Sequence, residues 1–127
     1  METRILIVDD SKLARIVVGK AVAALQPDWV RIEAADADQA LTLLEEGGVD
    51  VAVVDFNMPG RNGLELAEEI RTRFPEMPVA LATANVQDEV IARARAANIA
   101  FVSKPITEEG FRGFLSGAAL KLRSARR

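Results

Sequence analysis

Short apolar runs alternate with amphipathic stretches five times along this chain. Arg4–Asp9, Arg-Ile-Leu-Ile-Val-Asp, has the unbroken apolar centre of a strand covered on both faces. Lys12–Gln26 has helical spacing, with Ser11 placed to cap it and Pro27 beyond its end. Trp29–Ala34 alternates apolar and polar residues, as a strand with one wet face does. Asp36 is set to cap a helix running to Glu46, where Gly47-Gly48 stops it. Val51–Asp55 is a third, buried strand. The turn-rich stretch Asn57-Met58-Pro59-Gly60-Arg61-Asn62-Gly63 leads into a helix over Leu64–Phe74. A fourth strand at Pro78–Thr83 precedes a helix at Gln87–Asn98, and a fifth follows at Ile99–Ser103. Thr107 caps the last helix, with Glu108-Glu109 in its first turn, where the helix dipole favours anions.

Strands that alternate with helices predict an α/β fold with a parallel sheet covered on both faces. Right-handed crossovers make it doubly wound. No linker or low-complexity tract interrupts residues 1–127, so a single domain is expected. The last helix shows an amphipathic stripe of Phe111, Phe114, Leu115, Ala118 and Leu122, mostly facing the core. Gly113 and Gly117 weaken that helix, and plain packing is the expected reason for them. Residues 121–127 carry Lys121, Arg123, Arg126 and Arg127 and no acid, which fits a solubilising frayed helix end.

Composition narrows the chemistry. The chain has no cysteine and no histidine. Disulfides, thiolate nucleophiles, histidine metal sites and Ser-His-Asp triads are all excluded. Reactive groups must come from Asp, Glu, Lys, Ser, Thr and backbone amides. The net charge of −3 gives no overall attraction to nucleic acid, and no apolar run is long enough for membrane insertion.

In open α/β sheets, ligands sit beyond the carboxyl ends of the strands. The first strand ends in Asp9-Asp10, the third in Asp55 and the fourth in Thr83. Lys104-Pro105 follows the fifth, whereas the second ends in Ala34-Ala35. Each residue alone has an ordinary explanation as a cap, a turn or a solvated loop residue. Together they gather three carboxylates, a hydroxyl and an ammonium at one edge. Close carboxylate pairs repel by about 1–4 kcal/mol, depending on the local dielectric. A hard divalent cation relieves that repulsion, and Mg²⁺ suits a few carboxylates with water. A carboxylate beside it is a competent nucleophile toward phosphorus.

Four matching segments make the chain resemble the receiver domain of a bacterial response regulator. They are Asp9-Asp10, the stretch from Asp55 to Gly63, Thr83-Ala84, and Phe101-Val102-Ser103-Lys104-Pro105. The resemblance implies a flavodoxin-like sheet of order 2-1-3-4-5 and a cis Lys104–Pro105 bond. Asp55 would be the phosphoacceptor. Asp9, Asp10, Asp55 and the Asn57 backbone carbonyl would hold Mg²⁺. Thr83 and Lys104 would engage phosphoryl oxygens, with the Ala84 backbone amide beside them. Thr83 and Phe101 would form the switch, and Asn57 and Asn85 would tune dephosphorylation. The implied role is that of a cytoplasmic phosphorelay protein rather than an enzyme acting on other substrates. Its partners would be a sensor histidine kinase or histidine phosphotransfer protein and a downstream protein target. A monomer is expected, with dimerisation on phosphorylation left open.

Competing assignments are less consistent with the residues. Gly19-Lys20 hints at a phosphate loop, but that motif needs Gly at position 14 and Ser or Thr at 21, where Ala14 and Ala21 stand. An aspartate-nucleophile phosphatase needs a second Asp two residues after Asp9, where Ser11 stands. A phosphorylation-independent interaction module would ordinarily have lost an acid or the lysine. The receiver piece of a longer regulator remains compatible with the residues.

Overall fold

The computed structural model describes residues 2–84 and 87–125. In chain order it contains β1 (Arg4–Val8), α1 (Lys12–Leu25), β2 (Val30–Ala34), α2 (Ala37–Glu45) and β3 (Val51–Asp55). There follow α3 (Gly63–Arg73), β4 (Val79–Thr83), α4 (Asp88–Ala96), β5 (Ala100–Ser103) and α5 (Glu108–Ala125). The five strands pair in parallel in the order β2-β1-β3-β4-β5. The doubly wound α/β expectation therefore holds, order included.

The strand pattern explains the two-sided core. On one face Leu6, Val8, Val54 and Leu81 pack with Leu44 and Ile70, from α2 and α3. On the other Ile5, Ile7, Val53 and Val102 pack with Val22, Phe111 and Leu115, from α1 and α5. Full burial of each such side chain stabilises by about 1.5–3 kcal/mol. β2 keeps its outer face wet: Arg31 and Glu33 are exposed between half-buried Val30 and Ile32.

Caps set the helix starts. The Ser11 hydroxyl accepts the Ala14 N–H at 3.2 Å, and Asp36 accepts that of Gln39 at 2.8 Å. Thr107 accepts the Gly110 N–H at 3.0 Å. Asn62, read from sequence as a loop residue, caps α3 by accepting the Glu65 N–H at 2.9 Å. That makes Gly63 the first residue of α3 rather than the last of the loop.

Two expectations need correction. The helix α5 continues to Ala125, so Lys121 and Arg123 lie on a formed helix and not on a frayed end. Plain packing does not explain Gly113 and Gly117, because a Cβ added at either would meet nothing within 4 Å. Among the described residues no helix is long and apolar enough to cross a membrane.

Candidate functional site

β1 and β3 are neighbours whose connections leave in opposite directions across the sheet, so a crevice opens beyond their carboxyl ends. Asp9 stands one residue past β1. Its N–H donates to the Ala34 carbonyl at 3.1 Å, which extends the β1–β2 ladder and fixes its backbone. Its Oδ1 accepts the Ser11 N–H at 2.9 Å. Arg15 donates from Nη1 to the Asp9 carbonyl at 2.7 Å and from Nε to Glu33 at 2.8 Å. Asp55 is the last residue of β3, and only 3% of it is exposed. Thr83 ends β4 fully buried. The Lys104 N–H donates to the Thr83 carbonyl at 3.0 Å, and the Lys104–Pro105 bond is cis.

These placements bring the charged groups together. The Lys104 ammonium pairs with Asp55 Oδ1 and lies 3.5 Å from Asp9 Oδ2. Asp10 is exposed, but a carboxylate oxygen from each of Asp9, Asp10 and Asp55 falls within one 4.8 Å cluster. Burial pushes the Asp55 carboxyl above its ordinary value, and repulsion from Asp9 and Asp10 adds to the rise against the pull of Lys104. For Lys104, burial works against the charge, yet contact with Asp55 and Asp9 outweighs it and raises the ammonium above its usual value.

The donor set fits a small hard cation. Three carboxylates around one ammonium leave negative charge in excess. Asp55 Oδ1 is buried and receives no hydrogen bond of good geometry among the described residues, its lysine contact being an ion pair. An oxygen-seeking divalent ion answers both conditions.

The remaining predicted residues surround this centre. Asn57 is exposed in the loop after β3, and Ala84 is exposed directly after β4. Phe101 pairs with Leu81 and Ser103 with Thr83 in the β4–β5 register. Phe101 and Thr83 therefore project from the same face of the sheet as diagonal neighbours. The half-buried Phe101 ring packs on the core cluster that contains Leu81. Asn85 lies outside the described residues.

Two further residues carry the site without having been recognised from sequence as doing so. Arg15 holds the Asp9 backbone, a contact that exists only once α1 lies across β1 and β2. Gly63 holds the Asp55 backbone: its N–H donates to the Phe56 carbonyl at 2.9 Å, and a Cβ there would stand 1.9 Å from the Asp55 carbonyl oxygen. Gly63→Ala is expected to lower stability by about 3 kcal/mol, at the upper end of overpacking costs. Urea unfolding checks it, and an unchanged midpoint would contradict the close approach.

A groove of about 280 Å³ opens beside the acids, lined by Asp9, Asp55, Lys104, Leu13, Val17 and Ile106 among others. Leu13 and Val17 stand exposed along α1 at its margin.

Comparison with known proteins agrees with this arrangement. The response regulator receiver domain family matches residues 5–115. Chemotaxis protein CheY of Pseudomonas aeruginosa is 35% identical over 109 residues, covering 84% of this chain and 87% of that protein. Chemotaxis protein CheY-3 of Vibrio cholerae is 36% identical over 107 residues, with 82% of each covered. The signal receiver domain of an HD domain-containing protein from Pseudomonas fluorescens superposes with a TM-score of 0.87 at 25% identity, covering 98% of this chain and 99% of that one.

Proposed function

Because the chain belongs to the response regulator receiver family, we propose that it is a phosphoacceptor of a two-component relay, with Asp55 as the residue phosphorylated. The observation that carries the reading is the convergence of Lys104 on Asp55 and Asp9 beside Asp10.

In this reading a carboxylate oxygen of Asp55 attacks the phosphorus of a partner's phosphohistidine. An O–P bond forms, the P–N bond breaks, and the imidazole leaves with the electron pair. Asp9, Asp10, Asp55 and the Asn57 carbonyl would hold Mg²⁺, which supplies positive charge to the phosphoryl oxygens when bound. Lys104, already at Asp55, gives the developing charge a fixed ammonium. The Thr83 hydroxyl and the Ala84 N–H donate to the other oxygens. Asn57 and Asn85 flank the approach of water and set how long the acyl phosphate lasts. The chain turns over nothing but its own acyl phosphate, so it is a signalling module rather than an enzyme.

The donor, a sensor kinase or a histidine phosphotransfer protein, docks over the groove beside Asp55, where Leu13 and Val17 offer apolar contact. Such a relay operates in the cytoplasm. Drawing Thr83 toward the phosphoryl group frees space for its diagonal neighbour Phe101 to move inward. That biases the surface formed by α4, β5 and α5 between two states.

Incubation with acetyl phosphate and Mg²⁺, followed by intact-mass analysis, tests this. The expected result is a gain of one phosphoryl group, absent with a chelator and absent in Asp55→Asn. A gain retained in Asp55→Asn would overturn the assignment.

A further inference from the structure

We infer that Arg15 is a positioning residue for the cation site: by clamping the main chain at Asp9 and anchoring itself on Glu33, it sets the affinity of the acid cluster for Mg²⁺. As a claim about the phosphoryl reaction the inference rests on the phosphoacceptor reading above. As a claim about affinity it needs only that the cluster binds Mg²⁺.

Asp9 is held at three points. Its N–H donates to the Ala34 carbonyl at 3.1 Å, its carbonyl accepts from Arg15 Nη1 at 2.7 Å, and its Oδ1 accepts the Ser11 N–H at 2.9 Å. Its Oδ2 lies 3.5 Å from the Lys104 ammonium, which also pairs with Asp55. The Ala34 and Ser11 bonds come from main-chain groups. The Arg15 bond comes from a side chain on α1, so a single substitution removes it.

Arg15 is itself held. Its Nε donates to Glu33 Oε1 at 2.8 Å, and Glu33 lies beside Ile7 in the β1–β2 register, two residues before Asp9. One planar guanidinium thus directs separate N–H groups to β2 and to the end of β1. The Arg15 side chain is 15% exposed, against 52% for Glu33. An ordinary exposed ion pair contributes about 0–1 kcal/mol. Here the arginine is mostly covered and its remaining contact is spent on a carbonyl, which marks an orienting role. Arg31 on the same face of β2 offers the contrast: it is exposed and makes no hydrogen bond or ion pair among the described residues.

An arginine beside a cation site acts in two ways of opposite sign. Its charge repels a divalent ion, so charge alone would make its removal tighten Mg²⁺ binding. Glu33 neutralises that charge at contact distance, which leaves positioning to decide. Removing a group that orients a metal ligand ordinarily costs about 10- to 100-fold in metal affinity. Arg15 grips the main chain of Asp9 rather than its carboxylate, so the lower end of that range applies.

Thermal midpoints of the parent and of Arg15→Met, Arg15→Lys, Glu33→Ala and Arg31→Met, in chelator and across a series of MgCl₂ concentrations, test this. The chelator midpoint reads the fold alone, and the rise with Mg²⁺ gives the dissociation constant. Arg15→Met is expected to weaken Mg²⁺ binding about tenfold. Arg15→Lys keeps the charge without the planar fork and should weaken it in the same direction. Glu33→Ala should do so too, yet add less than about twofold to Arg15→Met, because it acts through that residue. Arg31→Met should leave the constant unchanged. With acetyl phosphate, the Mg²⁺ concentration for half-maximal uptake should rise about tenfold in Arg15→Met, while the rate at saturating Mg²⁺ stays within about twofold of the parent. Unchanged affinity in both Arg15 variants, whatever their chelator midpoints, would reduce Arg15 to a scaffold residue. Tighter binding in Arg15→Met would show that its charge decides. Either result, or a parent midpoint that does not respond to Mg²⁺, overturns the inference. A parent that binds Mg²⁺ but takes up no phosphoryl group would remove the phosphoacceptor reading and leave the positioning role standing.

Discussion

Replacing Lys104 by methionine is expected to slow phosphoryl uptake about 100- to 1000-fold, the usual cost of losing one preorganised charge stabiliser. The ammonium already touches Asp55 and lies 3.5 Å from Asp9, so it meets incoming phosphoryl oxygens without reorganisation. Methionine keeps much of the stem's volume and removes the charge. The metal-free fold should also weaken, because Asp9, Asp10 and Asp55 then face one another unopposed. Removing one partner of a buried ion pair costs about 3–5 kcal/mol, and partial exposure of Lys104 lowers that to about 1–3 kcal/mol. The sign with pH follows from the raised lysine value. The stabilisation is complete below the ordinary lysine value of 10.5 and is lost as pH climbs through the higher folded value. Time-resolved intact mass gives the rate, and urea unfolding with chelator gives the stability. A Lys104→Met protein that matched the parent in both would sink the assigned role.

Asp55→Asn is expected to act oppositely on stability while abolishing phosphoryl uptake. Asparagine keeps the shape of the side chain and removes one of three clustered negative charges. Burial is the chief reason the Asp55 carboxyl is raised, with repulsion from Asp9 and Asp10 added and Lys104 opposing. The charged form therefore destabilises the metal-free fold, and its removal should add about 1–2 kcal/mol near neutral pH. A carboxyl with a raised folded value is most favourable to the fold below its unfolded value, and that advantage disappears as pH rises through the folded one. The gain from Asp55→Asn should thus be small in acid and grow across the carboxylate range. Mg²⁺ should narrow it by stabilising the parent protein. Urea midpoints with chelator at acid and neutral pH test this. A variant less stable than the parent at neutral pH would contradict the account.

Much of this was legible in the residues because strand ends are legible. β3 and β4 are fully buried and the apolar stretch of β1 likewise, so their sequences are continuous apolar runs whose last polar residues announce the sheet edge. Ser11, Asp36 and Thr107 were readable as caps because capping is a contact between residues three apart. The missed contacts depend on tertiary approach instead. Nothing near Arg15 in sequence shows that α1 will carry its guanidinium to the Asp9 carbonyl. Gly63 belongs to a recognisable turn-rich motif, but its closeness to the Asp55 backbone appears only when α3 is seated on β3. Gly113 and Gly117 looked like packing residues because spacing alone cannot distinguish a helix face covered by the chain from one left open.

The most direct test of the central claim is to locate the phosphoryl group. Protein treated with acetyl phosphate and Mg²⁺ is reduced with borohydride, which converts an aspartyl phosphate to homoserine, and is then mapped by peptide mass spectrometry. The account predicts homoserine at position 55 and at no other aspartate. Reduction at Asp9 or Asp10, or a phosphoryl group that resists borohydride and maps to a serine or threonine, would contradict it.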